Sequence, residues 1–205
     1  FAQGEIKNQA RIFYRNEKSF GISLNSNGLG VSGRYAKRIN ARKKTLWEID
    51  GANVKHPKEV RISNTYYNNR SFVFGKENLF LSLRGGWGKQ HEMFRKVDRG
   101  GISIRRYFTV GPVIGFLKPI YYEVFVAGGG INDYYISEEK FSTYTHQGNI
   151  FGRASFFKGI SETQITPGVY GRFGVSFEYS KSDITIHAIE TVVSLDLYPR
   201  EMVIM

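Results

Sequence analysis

Along residues 72–122, hydrophobic positions alternate with small, polar or charged ones. Leu79, Leu81, Leu83 and Trp87 share one parity, and Phe80, Ser82, Arg84 and Gly86 share the other. Successive side chains of a strand point to opposite faces, so this spacing predicts a strand with one greasy and one polar face. The second face carries an arginine. In a soluble β-sandwich the inward face is apolar. In a membrane barrel lipid covers the outside and the lumen is polar. The pattern therefore favours a strand turned inside out.

The same alternation recurs along the chain. Residues 18–26 place Phe20, Ile22 and Leu24 on one face, and Asn25-Ser26-Asn27-Gly28 is a hairpin signal because Asn and Gly accept positive φ. Residues 29–39 set Leu29, Val31, Gly33 and Tyr35 against Arg34, Ala36 and Arg38. Residues 44–54 set Trp47 and Ile49 against Glu48 and Asp50, and Pro57 ends the run. Residues 70–87 and 101–117 follow, with Arg106 breaking the outer pattern of the latter as a snorkelling side chain or a register shift would. Lys118-Pro119 predicts a tight turn into a strand at 121–126, and strands at 166–180 and 183–197 complete the series. The expected fold is all-β: a closed antiparallel up-and-down transmembrane β-barrel of about eight strands. Residues 1–16 read as an N-terminal arm, and 17–205 as one barrel domain with a long insertion at about 127–165.

The polar parities collect Arg34, Arg38, Glu48, Asp50, Arg84, Arg105, Arg172, Glu178, Glu190 and Asp196. Both signs are present. In a lumen barely wide enough for side chains they should pair, giving a plugged interior and not a pore. The soluble counterpart, a lipocalin-like barrel, would want an apolar interior at these positions. The insertion follows the sixth expected strand, which puts it on the side of the termini, the periplasmic side of bacterial barrels. Its aromatic residues Tyr134, Tyr135, Phe151, Phe156 and Phe157 are candidate partner contacts. Residues 151–160 are the one helix candidate, with aromatics on one side and Arg153 and Lys158 on another.

Net charge is +11, which raises nucleic acid as a partner. The Lys and Arg residues are dispersed, however, and no basic helix or stripe gathers them, so nucleic acid is not expected. The densest run holds Lys37, Arg42, Lys43 and Lys44, which in a hairpin turn reach the phosphates of lipid headgroups. Aromatics at 15% fit the two girdles of a membrane barrel. No apolar run is long enough for a transmembrane helix. The absence of cysteine excludes disulfides and thiolate metal sites. His56, His91, His146 and His187 lack metal-ligand spacing, and none has a serine two residues on, the signature sought for a barrel-type lipid A deacylase. No cofactor and no catalytic residue are expected. A hidden Ser–His site stays open at this level, since only geometry establishes one.

Three stretches carry a resemblance: Phe72-Val73-Phe74-Gly75-Lys76-Glu77-Asn78, Leu83-Arg84-Gly85-Gly86-Trp87-Gly88, and Gly111-Pro112-Val113-Ile114-Gly115-Phe116-Leu117-Lys118-Pro119-Ile120-Tyr121-Tyr122. The chain resembles small outer-membrane β-barrel proteins of Bacteroidota, the broad PorT-like group, over most of its length. The leading Phe1-Ala2-Gln3 is similar to their signal-peptide ends. The resemblance implies the outer membrane of a Gram-negative bacterium and a non-enzymatic accessory role in a larger machine, either β-barrel assembly or type 9 secretion. Its partners would be outer-membrane lipid and other outer-membrane or periplasmic subunits. Two alternatives stay open: a stand-alone barrel that binds or modifies lipid, and a soluble basic β protein that binds nucleic acid.

Overall fold

A computed structural model describes residues 16–64, 68–96, 101–128, 134–142, 149–180 and 185–205. The expected N-terminal arm lies outside the described residues except for Asn16. The described chain is all-β, with strands β1 (Glu17–Asn25), β2 (Gly28–Arg38), β3 (Lys43–Val54), β4 (Arg61–Asn64), β5 (Asn68–Val73), β6 (Asn78–Phe94), β7 (Ser103–Pro119), β8 (Tyr121–Ala127), β9 (Tyr134–Lys140), β10 (Ile150–Arg153), β11 (Gln164–Glu178) and β12 (Ala188–Leu197).

Seven strands form one sheet in the order β1-β2-β3-β6-β7-β11-β12, every neighbouring pair antiparallel. Asn25 pairs with Gly28, so Ser26 and Asn27 are the whole first loop, as the hairpin signal requires. The sheet curls into a half-barrel. Arg34 on β2 reaches Glu190 on β12 at 2.9 Å, although five strand spacings separate them in the sheet. In a flat sheet that distance would be about 24 Å, five steps of ~4.8 Å. Strand length explains part of the curvature, because β6 and β7 each run 17 residues and a long twisted sheet coils. The ladder skips Gly85 and Gly86, which lie across from Pro112 and Gly111; Pro112 has no N–H to give.

Three expectations fail. The strand expected at 121–126 leaves the curled sheet. β8 pairs instead with β9 and β10 in a separate three-stranded sheet, so Lys118-Pro119 is an exit and not a hairpin turn. Residues 70–73 belong to β5, which pairs with β4 in a small hairpin, and the barrel-type strand begins only at Asn78. No helix forms over 151–160; this stretch is the end of β10, a turn through Gly159 at φ 79°, and the start of a 3-10 turn at Ile160–Glu162. A glycine in the left-handed region ends any helical run there.

The two inserted sheets arise from the same end of the half-barrel, after β3 and after β7, and they pack together as a cap. Phe72, Ile120, Tyr122, Val124 and Ile150 form its core, with Leu79 and Phe141 against it. Tyr122 Oη shares its one proton between the carbonyls of Val73 at 2.7 Å and Lys76 at 2.8 Å, tying the β4–β5 hairpin to β8. Beyond β12 the chain crosses the same end of the curled sheet. Tyr198 packs edge-on against Phe80 at 5.7 Å, and the carbonyl of Ile204 accepts from the backbone N–H groups of Glu77 and Asn78 at 3.0 and 3.2 Å. At the opposite end the chain passes from β2 to β3, from β6 to β7 and from β11 to β12.

Candidate functional site

The concave face of the half-barrel holds an ion-pair network on the parities read from the sequence. Glu48, fully buried, accepts from Arg34 at 3.0 Å and from Arg172. Asp50 takes the second guanidinium nitrogen of Arg172 at 2.9 Å and also Arg84. Arg84 continues to Asp196, where Nη2 lies 2.6 Å from Oδ2. Arg34 continues to Glu190, whose other contact is the Tyr107 hydroxyl, donating at 2.8 Å. Nearer the end opposite the cap, Arg105 pairs with Glu178 and with Glu17 at 3.2 Å, and Lys96 pairs with Glu178 at 2.8 Å. Planar guanidinium forks suit this geometry because each serves two carboxylates at once.

Of the predicted interior residues, Arg34, Glu48, Asp50, Arg84, Arg105, Arg172, Glu178, Glu190 and Asp196 are brought into this network. Arg38 is not; at the rim it donates to the carbonyls of Asn40 and Ala41. Sequence reasoning misses Glu17, Lys96 and Tyr107. Glu17 shares the inner parity of β1, but the hydrophobic alternation alone starts that strand one residue later. Lys44, expected at lipid headgroups, faces the other way and pairs with Glu17. That follows from parity, since Lys44 aligns with Leu46 and Glu48 while Lys43 aligns with Trp47. Lys37, Lys43 and Arg42 are exposed.

Aromatic rings fill the rest of the concave face. Tyr107 stands over Gly174, where an added Cβ would meet the ring at 2.4 Å, and Tyr170 stands over Gly86, where it would meet the hydroxyl at 1.8 Å. The Arg34 guanidinium lies 4.2 Å from the Tyr107 ring centroid.

The convex face is the reverse. Phe20, Ile22, Leu24, Leu29, Val31, Trp47, Ile49, Leu81, Leu83, Trp87, Phe108, Val110, Ile114, Val169, Phe173, Val193 and Leu195 are all exposed. Among the described residues of the seven strands, no Asp or Glu has the outward parity. On β7 the apolar run from Phe108 to Phe116 covers about 27 Å of strand at ~3.4 Å per residue. At a tilt near 40° that is about 21 Å of height, close to the apolar band of a membrane barrel.

In the cap, Tyr134, Tyr135, Phe156 and Phe157 are exposed, and Phe151 packs edge-on against Phe125 at 5.1 Å. β9 is an edge strand of its sheet. Beside it, Glu162 pairs with Lys140 and accepts from Tyr121 at 2.8 Å, and these contacts hold its carboxyl below the usual range. Among the histidines, His56 sits in a turn, His91 lies on the outward parity of β6 and His187 stacks on Tyr179; His146 lies outside the described residues. Among the described residues no cluster of His, Cys, Asp and Glu is arranged to hold a metal ion. No family model, no curated protein and no solved structure matches the chain.

Proposed function

We propose that this chain is an outer-membrane-type β-barrel with a sealed, ion-paired lumen and a water-exposed cap, acting as a non-enzymatic structural or accessory component. One observation carries the reading: the same chain obeys two opposite burial rules. In the cap, Tyr122, Val124 and Ile150 are buried, the ordinary response to water. In the curled sheet, Glu48, Asp50 and Arg84 are buried while Trp47, Leu83 and Trp87 are exposed. Water does not select the second arrangement, because exposed apolar patches of this extent mark a partner or a membrane. Lipid does select it. Seven antiparallel strands leave β1 and β12 running the same way, so one further strand fits between them antiparallel to both. That would restore the even count of bacterial barrels. The cap's exposed Tyr134 and Tyr135, on β9 at the edge of its sheet among the described residues, are the surface offered to other subunits. A place in an assembly or secretion machine rests on the sequence resemblance alone.

The chain's two tryptophans are its natural probes. Trp47 and Trp87 pair across β3 and β6 on the convex face. Reconstituted into vesicles of phosphatidylcholine with brominated acyl chains, both should be quenched strongly relative to unbrominated vesicles. Fluorescence indifferent to the bromine would overturn the membrane reading. Leu83→Arg, on the same face, should cost about 2–4 kcal/mol of folding free energy in a bilayer; a soluble protein would tolerate it at this exposed position.

A further inference from the structure

Outward cations cluster at the end of the curled sheet opposite the cap, directly above its aromatic row. Tyr35, Trp47 and Trp87 are register partners across β2, β3 and β6. One pleat further toward that end, Lys37 lies opposite Thr45 and Thr45 opposite Lys89. One pleat beyond that, Lys43 lies opposite His91 and His91 opposite Arg106. Cross-strand partners stand about 5 Å apart, so Lys43, His91 and Arg106 share an arc of about 10 Å. None of the five forms an ion pair or side-chain hydrogen bond with another described residue, although Arg34, Glu48, Asp50, Arg84 and Arg105 on the concave face of the same strands are all ion-paired. No outward carboxylate of the described strands stands near them.

Like charges close together on one face repel. Four cations and a histidine gathered without an acid among the described residues are a poor arrangement in isolation and a good one if the surroundings supply anions. Their height names the anion. In the membrane reading above, on which this inference rests, Trp47 and Trp87 mark the boundary of the hydrocarbon. The next two pleats then lie at the level of the headgroups. Long Lys and Arg stems reach along the apolar surface and present their charge there, and a guanidinium takes two phosphate oxygens at once. We propose that Lys37, Lys43, Lys89, His91 and Arg106 form a binding belt for the phosphate groups of membrane lipids, phosphomonoester lipids foremost, in the leaflet opposite the cap. The belt differs from the dense basic run of the sequence. It drops Lys44, which is turned inward to Glu17, and gathers Lys89 and Arg106 from strands distant in sequence.

The test uses the full chain in nanodiscs of phosphatidylcholine, with and without a minor fraction of phosphatidic acid. Native mass spectrometry after release counts the lipids retained. The chain should retain phosphatidic acid over phosphatidylcholine. A variant with Lys37→Gln, Lys43→Gln, Lys89→Gln and Arg106→Gln should lose that preference by about fivefold per cation removed. A control with Lys55→Gln, Lys58→Gln, Arg61→Gln and Arg200→Gln removes the same charge from exposed positions away from the belt and should keep it. Gel mobility that shifts on heating verifies that both variants are folded. Arginine in place of glutamine at all four belt positions should restore retention. Equal retention of the two lipids overturns the belt, and so does an equal loss in both variants, which would reduce the effect to net charge. If the same nanodiscs also fail to quench Trp47 and Trp87 when brominated, the membrane reading falls, and the belt falls with it.

Discussion

Arg84 is the residue whose removal tests the interior network most directly. Its guanidinium joins Asp50 on β3 to Asp196 on β12. Arg84→Met keeps much of the stem's volume and deletes the charge and the fork. Asp50 keeps a second cation, Arg172 at 2.9 Å. Asp196 loses its one ion-pair partner among the described residues, and its side chain is just 15% exposed. Removing one member of a buried ion pair costs about 3–5 kcal/mol, because the remaining charge is stranded. The second partner of Asp50 and the partial access of water to Asp196 place this case at the lower end, about 3 kcal/mol. At a urea slope of about 2 kcal/mol/M, the midpoint of unfolding in micelles should fall by roughly 1.5 M. The companion variant Arg84→Met with Asp196→Leu removes the stranded charge as well. It should recover about 2 kcal/mol of the loss, a coupling well above the few tenths expected of independent sites. Tryptophan fluorescence and heat-dependent gel mobility would report both midpoints. If the two substitutions simply add, Arg84 and Asp196 do not meet, and the curl that joins β6 to β12 is wrong.

Tyr122→Phe should weaken the cap by about 1 kcal/mol, the worth of one hydroxyl proton shared between the carbonyls of Val73 and Lys76, while leaving the heat-dependent mobility of the curled sheet intact; limited proteolysis at the cap measures it. Burial pushes the Tyr122 hydroxyl from 10 up to about 12. The neutral form is thus favoured by the fold, so its stabilisation is complete below pH 10 and lost as pH rises toward 12; a cap that opens in acid and is unchanged in that alkaline window would contradict the assignment. Gly174→Ala places a methyl 2.4 Å from the Tyr107 ring and should cost about 1–3 kcal/mol by overpacking. Gly33→Ala, with nothing within 4 Å, should be close to neutral. A larger loss from Gly33→Ala than from Gly174→Ala in a refolding-yield assay would mean that the faces are assigned the wrong way round.

The parity of the curled sheet is legible in the amino-acid sequence because one physical rule, a period of two with an apolar face opposite a polar one, repeats along the long strands. It places Arg34, Glu48, Asp50, Arg84 and Arg172 on a common face although they are scattered over 139 positions (172 less 34, counting both ends). Their pairing is not legible, since which acid meets which arginine depends on how far the sheet curls. β8 misleads for a related reason. Tyr122 and Val124 alternate with Tyr121 and Glu123 just as a barrel strand would. A strand half-buried against a water-excluding cap core and one half-exposed to lipid present the same period. Only the pairing with β9 and β10 separates the two cases. The outward cations are hidden differently: Lys89 and Arg106 look like isolated interruptions of apolar runs until register sets them beside Lys43 and His91.

The packing of the concave face bears on what the molecule can do. A passage along it would have to part Glu48 from Arg34 and Arg172 and Asp50 from Arg84, and then move Tyr107 and Tyr170 off the glycines that receive them. Three such separations come to roughly 10 kcal/mol at about 3–5 kcal/mol each. That is comparable with the whole stability of an ordinary domain, about 5–15 kcal/mol. Conduction through the interior would therefore compete with unfolding. The C-terminal residues add a second obstacle, since Tyr198 packs on Phe80 and Ile204 is bonded to the start of β6 across one end. The surfaces that can act without dismantling the fold are the cap at one end and the basic belt at the other. Under the membrane reading proposed above, an ion-paired body between two such surfaces would hold a partner at a fixed depth and orientation, so the lipid-retention measurement discriminates between functions better than any assay of flux.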